Sequence, residues 1–92
     1  MIRTFKHRGL QKLYERGERR HVRADHANRI EDILGRLEVS SAASELNLPG
    51  YHFHTLRESL KGFFSVKVSG NWRIIYRFKD GDAFDVDLID YH

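Results

Sequence analysis

The run Phe63-Phe64-Ser65-Val66-Lys67-Val68-Ser69-Gly70-Asn71-Trp72-Arg73-Ile74-Ile75-Tyr76-Arg77-Phe78-Lys79-Asp80-Gly81-Asp82-Ala83-Phe84-Asp85-Val86-Asp87-Leu88-Ile89 decides the fold. Apolar and polar residues alternate along it with period two, and the apolar ones are mostly aromatic or β-branched, as half-buried antiparallel strands require. Strands are expected at 63–69, 72–78 and 83–89, with Ser69-Gly70-Asn71 and Asp80-Gly81 supplying the turn residues of tight hairpins. The alternation also assigns faces. Phe64, Val66 and Val68, then Trp72, Ile74, Tyr76 and Phe78, then Phe84, Val86 and Leu88 make an apolar face for helices to cover. Ser65 and Lys67, then Arg73, Ile75 and Arg77, then Asp85 and Asp87 make the other face, which is polar and mostly basic.

Working upstream, Pro49-Gly50 holds the sole proline and punctuates the chain, and a fourth strand is expected at 51–55 with His52 and His54 on one face. Before it the period changes. Leu10, Leu13 and Tyr14 have i, i+3, i+4 spacing and predict a short helix ending near Gly17, after an opening strand around Ile2 to Lys6. From Asp25, an N-cap by residue type, Ala27, Ile30, Ile33, Leu34 and Leu37 form one apolar stripe opposite Asn28, Glu31, Asp32 and Arg36. Residues 41–47 add one helical turn. The expected fold is α+β, a small antiparallel β-sheet packed on one face by two to three N-terminal helices, with residues 1–92 forming a single domain.

With 92 residues and no cysteine, the chain has neither a disulfide framework nor a thiolate zinc site, and a cytoplasmic setting is expected. No apolar run approaches the roughly 18 residues of a membrane span, and Met1 to Lys6 is too charged for a signal segment, so no membrane partner is expected. The net charge of +3 hides an uneven distribution. Residues 1–23 carry eight basic and two acidic side chains, and residues 51–79 carry six and one. Residues 24–50 and 80–92 are acidic instead. Eleven of the sixteen cations are arginine, whose planar donor fork suits phosphate, so nucleic acid is the first partner to consider. A solvated surface has the same composition.

A sheet covered by helices on one side and presenting Arg, Lys and His on the other can hold an extended single-stranded nucleic acid. Arg57, Lys61, Lys67 and Arg77 lie on or beside that face, and Arg8, Lys12, Arg19 and Arg20 form the N-terminal basic zone; these eight are the candidate RNA contacts. Among six histidines, His52, His54 and the His92 of the terminal Asp90-Tyr91-His92 stand out because they lie next to the basic face. RNA cleavage without a metal needs a base for the ribose 2′-hydroxyl, a cation for the phosphate and an acid for the leaving 5′-oxygen. His54, Arg73 and His92 can supply these parts, Tyr91 can stack on a base, and Asp90 can orient an imidazole. Strict alternation puts Asp90 and His92 on the Leu88 side, so this constellation requires the last strand to end or bulge near Ile89. His52-x-His54 could form half of a metal site with Asp90 or His92, but two histidines on one strand are too little to specify it. No metal and no cofactor are assigned.

The opening Ile2-Arg3-Thr4-Phe5-Lys6-His7-Arg8-Gly9-Leu10, then His54-Thr55-Leu56-Arg57, Lys61-Gly62-Phe63-Phe64-Ser65-Val66, Asn71-Trp72-Arg73-Ile74 and the closing Asp90-Tyr91-His92 make the chain resemble the HigB toxins of the RelE/ParE superfamily. The resemblance implies a RelE-like fold and a ribosome-dependent endoribonuclease that cuts messenger RNA in the A site of the 70S ribosome, beside 16S rRNA. It also implies a HigA-type helix-turn-helix antitoxin as partner. By position, His54, Asp90, Tyr91 and His92 fall on the family's catalytic residues, and Arg73 on the arginine that contacts the scissile phosphate. Arg57 stands where related toxins often carry lysine, which implies an electrostatic role. ParE-like members inhibit DNA gyrase by binding it, so fold alone leaves that activity, or a noncatalytic RNA-binding module, as alternatives.

Overall fold

The alternating run folds as a meander. In the computed structural model, which describes residues 1–91, β1 (His54–Thr55), β2 (Phe64–Ser69), β3 (Trp72–Lys79) and β4 (Asp82–Asp90) pair antiparallel in the order β1-β2-β3-β4. Helices α1 (Arg8–Arg16) and α2 (Ala27–Val39) precede them, followed by a 3₁₀ turn at Ala43–Leu46, with a second at Glu58–Leu60 between β1 and β2. The α+β architecture expected from the pattern is the one observed. Among the described residues no helix is long and apolar enough to cross a membrane.

The helices start and stop for local reasons. The His7 ring nitrogen accepts the Leu10 backbone N–H at 3.1 Å, and Gly17 closes α1 in the left-handed conformation that glycine adopts without penalty. The cap of α2 is His26 rather than Asp25, because the Asp25 carboxylate is held by two guanidinium bonds from Arg23, at 2.8 and 3.1 Å. The stripe Ala27, Ile30, Ile33, Leu34 and Leu37 is buried as its spacing predicts, and joins Leu10, Leu13, Val66, Ile74, Tyr76 and Val86 in the main core. Each such aliphatic side chain, fully buried, contributes about 1.5–3 kcal/mol. The opening segment makes only isolated parallel bridges, Ile2 to Ala83 and Phe5 to Val86, yet these cover the free edge of β4.

Three expectations are corrected. The strand at 51–55 shrinks to His54–Thr55, because His52 takes a left-handed φ of 48° that extended pairing does not accommodate. The shared face of His52 and His54 therefore disappears. Second, the irregularity in β4 lies at Asp85, not near Ile89: Ile75 pairs with Asp87 but Arg77 pairs with Phe84, so β4 carries one extra residue, and Asp85 has φ 54°. That bulge reverses the alternation before it. Ala83, not Phe84, shares the buried face with Val86, while Phe84 turns out beside Arg77. Third, the outer face is not uniformly polar, since Leu56, Phe63 and Ile75 form a second small core there, with Leu60 and Ile89 against it.

Candidate active site

The strand carrying His54 is only two residues long, so other contacts must hold its approach. Arg29 of α2 supplies them, donating to the Gly50 carbonyl at 2.8 Å and the Lys67 carbonyl at 3.1 Å while its guanidinium lies 4.1 Å from the Tyr51 ring centre. The Tyr51 hydroxyl donates to Asp32, which holds the Asp32 carboxyl below its ordinary range, while burial pushes the Tyr51 phenol up. The Lys67 N–H in turn donates to the Tyr51 carbonyl at 2.7 Å. His54 then pairs across β2 with Ser65.

Beside this edge, β3 places Arg73 opposite Lys67 on one side and Ile89 on the other, with its guanidinium donating to the His52 carbonyl at 3.3 Å. Arg57 caps the 3₁₀ turn at Glu58–Leu60 and is exposed. At the end of β4 the ladder continues past Asp90, the Tyr91 N–H donating to the Asn71 carbonyl at 2.8 Å. Tyr91 thus follows Ile89 onto the Arg73 side, and no bulge is needed to bring it there. His54, Thr55, Leu56, Arg57, Glu58, Ser65, Arg73 and Tyr91 together line an open cavity of about 530 Å³.

Free charge gathers at this cavity. Among the described residues neither Arg57 nor Arg73 is ion-paired, which is also true of Arg8 and Arg29, whereas Arg19, Arg20, Arg23 and Arg36 each hold a carboxylate between 2.8 and 3.4 Å away. Two guanidinium groups left without a counterion, next to an exposed imidazole and a phenol that is 40% exposed, make a seat for an anion with a proton-transfer group at its side.

Not every candidate joins them. Asp90 pairs with Trp72 and alternates to the Leu88 side, outside the cavity lining, and His92 lies outside the described residues. Lys67 is half-buried next to Arg73, and Lys61 is exposed ahead of the second core. Arg77 stacks 4.3 Å from the Phe63 ring centre and pairs with Asp85 at 3.6 Å. Arg8 and Lys12 line a separate shallow groove on α1, while Arg19 and Arg20 are engaged with Glu31 and Glu18. Among the described residues no three histidine or carboxylate side chains gather as a metal-binding set.

A family model described as the RelE-like toxin of the type II toxin-antitoxin system HigB matches residues 3–92. The chain belongs to the HigB-like toxin family. Over 92 residues it is 39% identical to a Proteus vulgaris protein named endoribonuclease HigB, covering 100% of both chains. It is 32% identical over 90 residues to toxin HigB-1 of Vibrio cholerae, covering 96% of this chain and 95% of that one. Within this HigB-like chain, the cavity also contains residues that sequence reasoning missed, namely Thr55, Glu58 and Ser65. The alternation does place Ser65 on the correct face. Its complete burial depends on the second core, which period two does not reveal.

Proposed function

We propose that this HigB-family toxin is an endoribonuclease that cuts translated messenger RNA in the A site of the 70S ribosome, against 16S rRNA, without a metal bound by the toxin. The reading is supported above all by His54, Arg57, Arg73 and Tyr91 converging on one open cavity whose two guanidinium groups lack ion-pair partners among the described residues. A base takes the ribose 2′-hydroxyl proton, and the resulting oxygen attacks the adjacent phosphorus. The bond to the 5′-oxygen breaks, leaving a 2′,3′-cyclic phosphate, and an acid protonates the departing 5′-oxygen. His54 and His92 share the two proton transfers, with Asp90 orienting an imidazole. Arg73, assisted by Arg57, neutralises charge gathering on the phosphate, and Tyr91 stacks on an unpaired base.

An open, shallow cavity does little to position a flexible RNA strand, which is why the ribosome is assigned the task of presenting it. Lys61, Lys67 and Arg77 on the sheet side, with Arg8, Lys12, Arg19 and Arg20 on the helical side, provide the cationic surface for that docking. A HigA-type helix-turn-helix antitoxin restrains the toxin in the cytoplasm. The test is brief expression followed by primer extension on translated messages, which should show new ends in phase with codons, while purified toxin leaves naked RNA nearly intact. Intact messages together with inhibited gyrase supercoiling would establish a ParE-like binding toxin instead.

A further inference from the structure

Ser65 lies in the middle of β2 with no exposed surface, and its hydroxyl has no hydrogen-bond partner among the described residues. A buried, unpaired hydroxyl is costly and uncommon in native proteins, and Ser65 sits in the lining of the same open cavity as His54. Its bonding capacity is open to a neighbour that moves.

The sheet register limits the choice. Ser65 pairs with Ile75 on one side and His54 on the other, so the polar side chains around it on its face are His54 directly across, Arg73 and Arg77 on the diagonals, and Lys67 about 6.6 Å along its own strand, farther off than a directly opposed residue. Arg77 is occupied by the Phe63 ring and Asp85, and Arg73 already donates to the His52 carbonyl. The His54 imidazole is exposed and makes no hydrogen bond among the described residues. Directly opposed residues in such a pair have Cβ atoms about 4.5–5.5 Å apart, within reach of a side-chain rotation. Two polar groups without partners therefore face one another across the strand that builds the cavity.

We infer that Ser65 is a positioning residue for His54. Its hydroxyl bonds one ring nitrogen of the imidazole when the site closes on RNA, and this fixes the tautomer and aims the other nitrogen at the substrate. A hydroxyl both donates and accepts, so it can hold the ring before and after proton transfer. The orientation matters because proton transfer needs heavy atoms within about 2.6–3.2 Å, and the bond made at one ring nitrogen sets what the other can do. The free protein keeps the hydroxyl unpaired, and the working site uses it.

The inference rests on the endoribonuclease reading, and two measurements separate their failures. In single-turnover cleavage on programmed ribosomes, Ser65→Ala should slow the step about 10- to 100-fold, by analogy with the loss of the hydrogen-bond partner of a metal-bound histidine, with little change in the toxin concentration giving half-maximal rate. His54→Ala and the double variant should then be equally slow, since a residue acting only through His54 has nothing to add once His54 is gone. Thermal melting of Ser65→Ala should be no lower than that of the parent, because the hydroxyl it removes is unpaired. Independently of cleavage, ring-nitrogen NMR of the toxin saturated with a short 2′-deoxy oligonucleotide, which occupies the site without being cut, should show a tautomer ratio in Ser65→Ala changed from that of the parent for His54 alone. A Ser65→Ala variant cleaving at the parent rate, a loss that multiplies with that of His54→Ala, or an unchanged His54 tautomer ratio would each overturn the inference. If the parent protein fails to cleave at all, the endoribonuclease reading falls, and the NMR comparison alone decides the pairing.

Discussion

Arg73→Ala separates chemistry from folding, because its two expected costs differ several-fold. In the free protein the Arg73 guanidinium makes one hydrogen bond, at 3.3 Å to the carbonyl of the exposed His52, and it has no ion pair among the described residues. A bond of that kind contributes at most about 1 kcal/mol, which lowers the melting temperature by about 4–8 °C for a domain of this size. In the reaction the same group faces the cavity where charge gathers on the phosphate. Losing one such donor typically costs about 10² to 10³ in rate, or roughly 2.7–4 kcal/mol. Arg73→Lys keeps the charge but loses the planar fork, and should fall between the two. The assay is single-turnover cleavage on programmed ribosomes at saturating toxin, beside urea or thermal unfolding of the same preparations. Ribosome binding should weaken much less than cleavage, since the remaining cations still meet phosphate. If Arg73→Ala binds poorly yet cleaves at the parent rate once saturated, Arg73 is a docking contact and the cavity is not centred on the scissile phosphate.

The Tyr76 hydroxyl is buried and donates to the Ala43 carbonyl at 3.1 Å, tying β3 to the 3₁₀ turn, so Tyr76→Phe should destabilise by about 1–2 kcal/mol in urea unfolding while leaving toxicity unchanged. Glu38 accepts from the Tyr14 hydroxyl and the Ile2 N–H, which hold its carboxyl below the ordinary 4.5. Its contribution is complete above that value and lost as pH falls through the lower folded one, so the stability gap between parent and Glu38→Gln should close on acidification below about 4.5. Tyr14 shows the opposite limb: burial, then the bond to Glu38, pushes its phenol up from 10 to about 12, and the stability this represents should disappear across that interval as pH rises. At the bulge, Asp85 has φ 54°, so Asp85→Gly should remain within about 1 kcal/mol of the parent by urea unfolding, whereas Asp85→Val should lose about 2 kcal/mol or more.

Period two and period 3.6 made most of this molecule legible because burial dictates them directly. The α2 stripe, the hairpin turns at Gly70 and Gly81, and the inward set Val66, Ile74, Tyr76 and Val86 follow from which side chains must leave water. What alternation cannot show is a residue that breaks it. Asp85 carries no glycine signal, yet aspartate tolerates the left-handed region better than most residues, and one such residue moves Phe84 from the expected core to the solvent face. His52 is the same case at the other edge: its positive φ ends the pairing early and leaves His54 on a strand two residues long.

The site followed the same logic with a different outcome. The constellation expected from the sequence requires the last strand to end or bulge near Ile89 to bring Asp90 and His92 onto the basic face; β4 ends at Asp90, but Ile89 pairs with Arg73 and Trp72 with Asp90, with no irregularity between them. Undisturbed alternation then delivers Tyr91, not Asp90, to the cavity. An Asp90 carboxylate on the other face can act on the chemistry only through a partner or at the edge of the sheet, so an Asp90→Asn loss of activity should be smaller than that of Arg73→Ala in the same single-turnover assay. Equal losses would mean that the working state re-aims the end of β4. The bulge expected near Ile89 would then belong to the toxin on the ribosome rather than to the free chain.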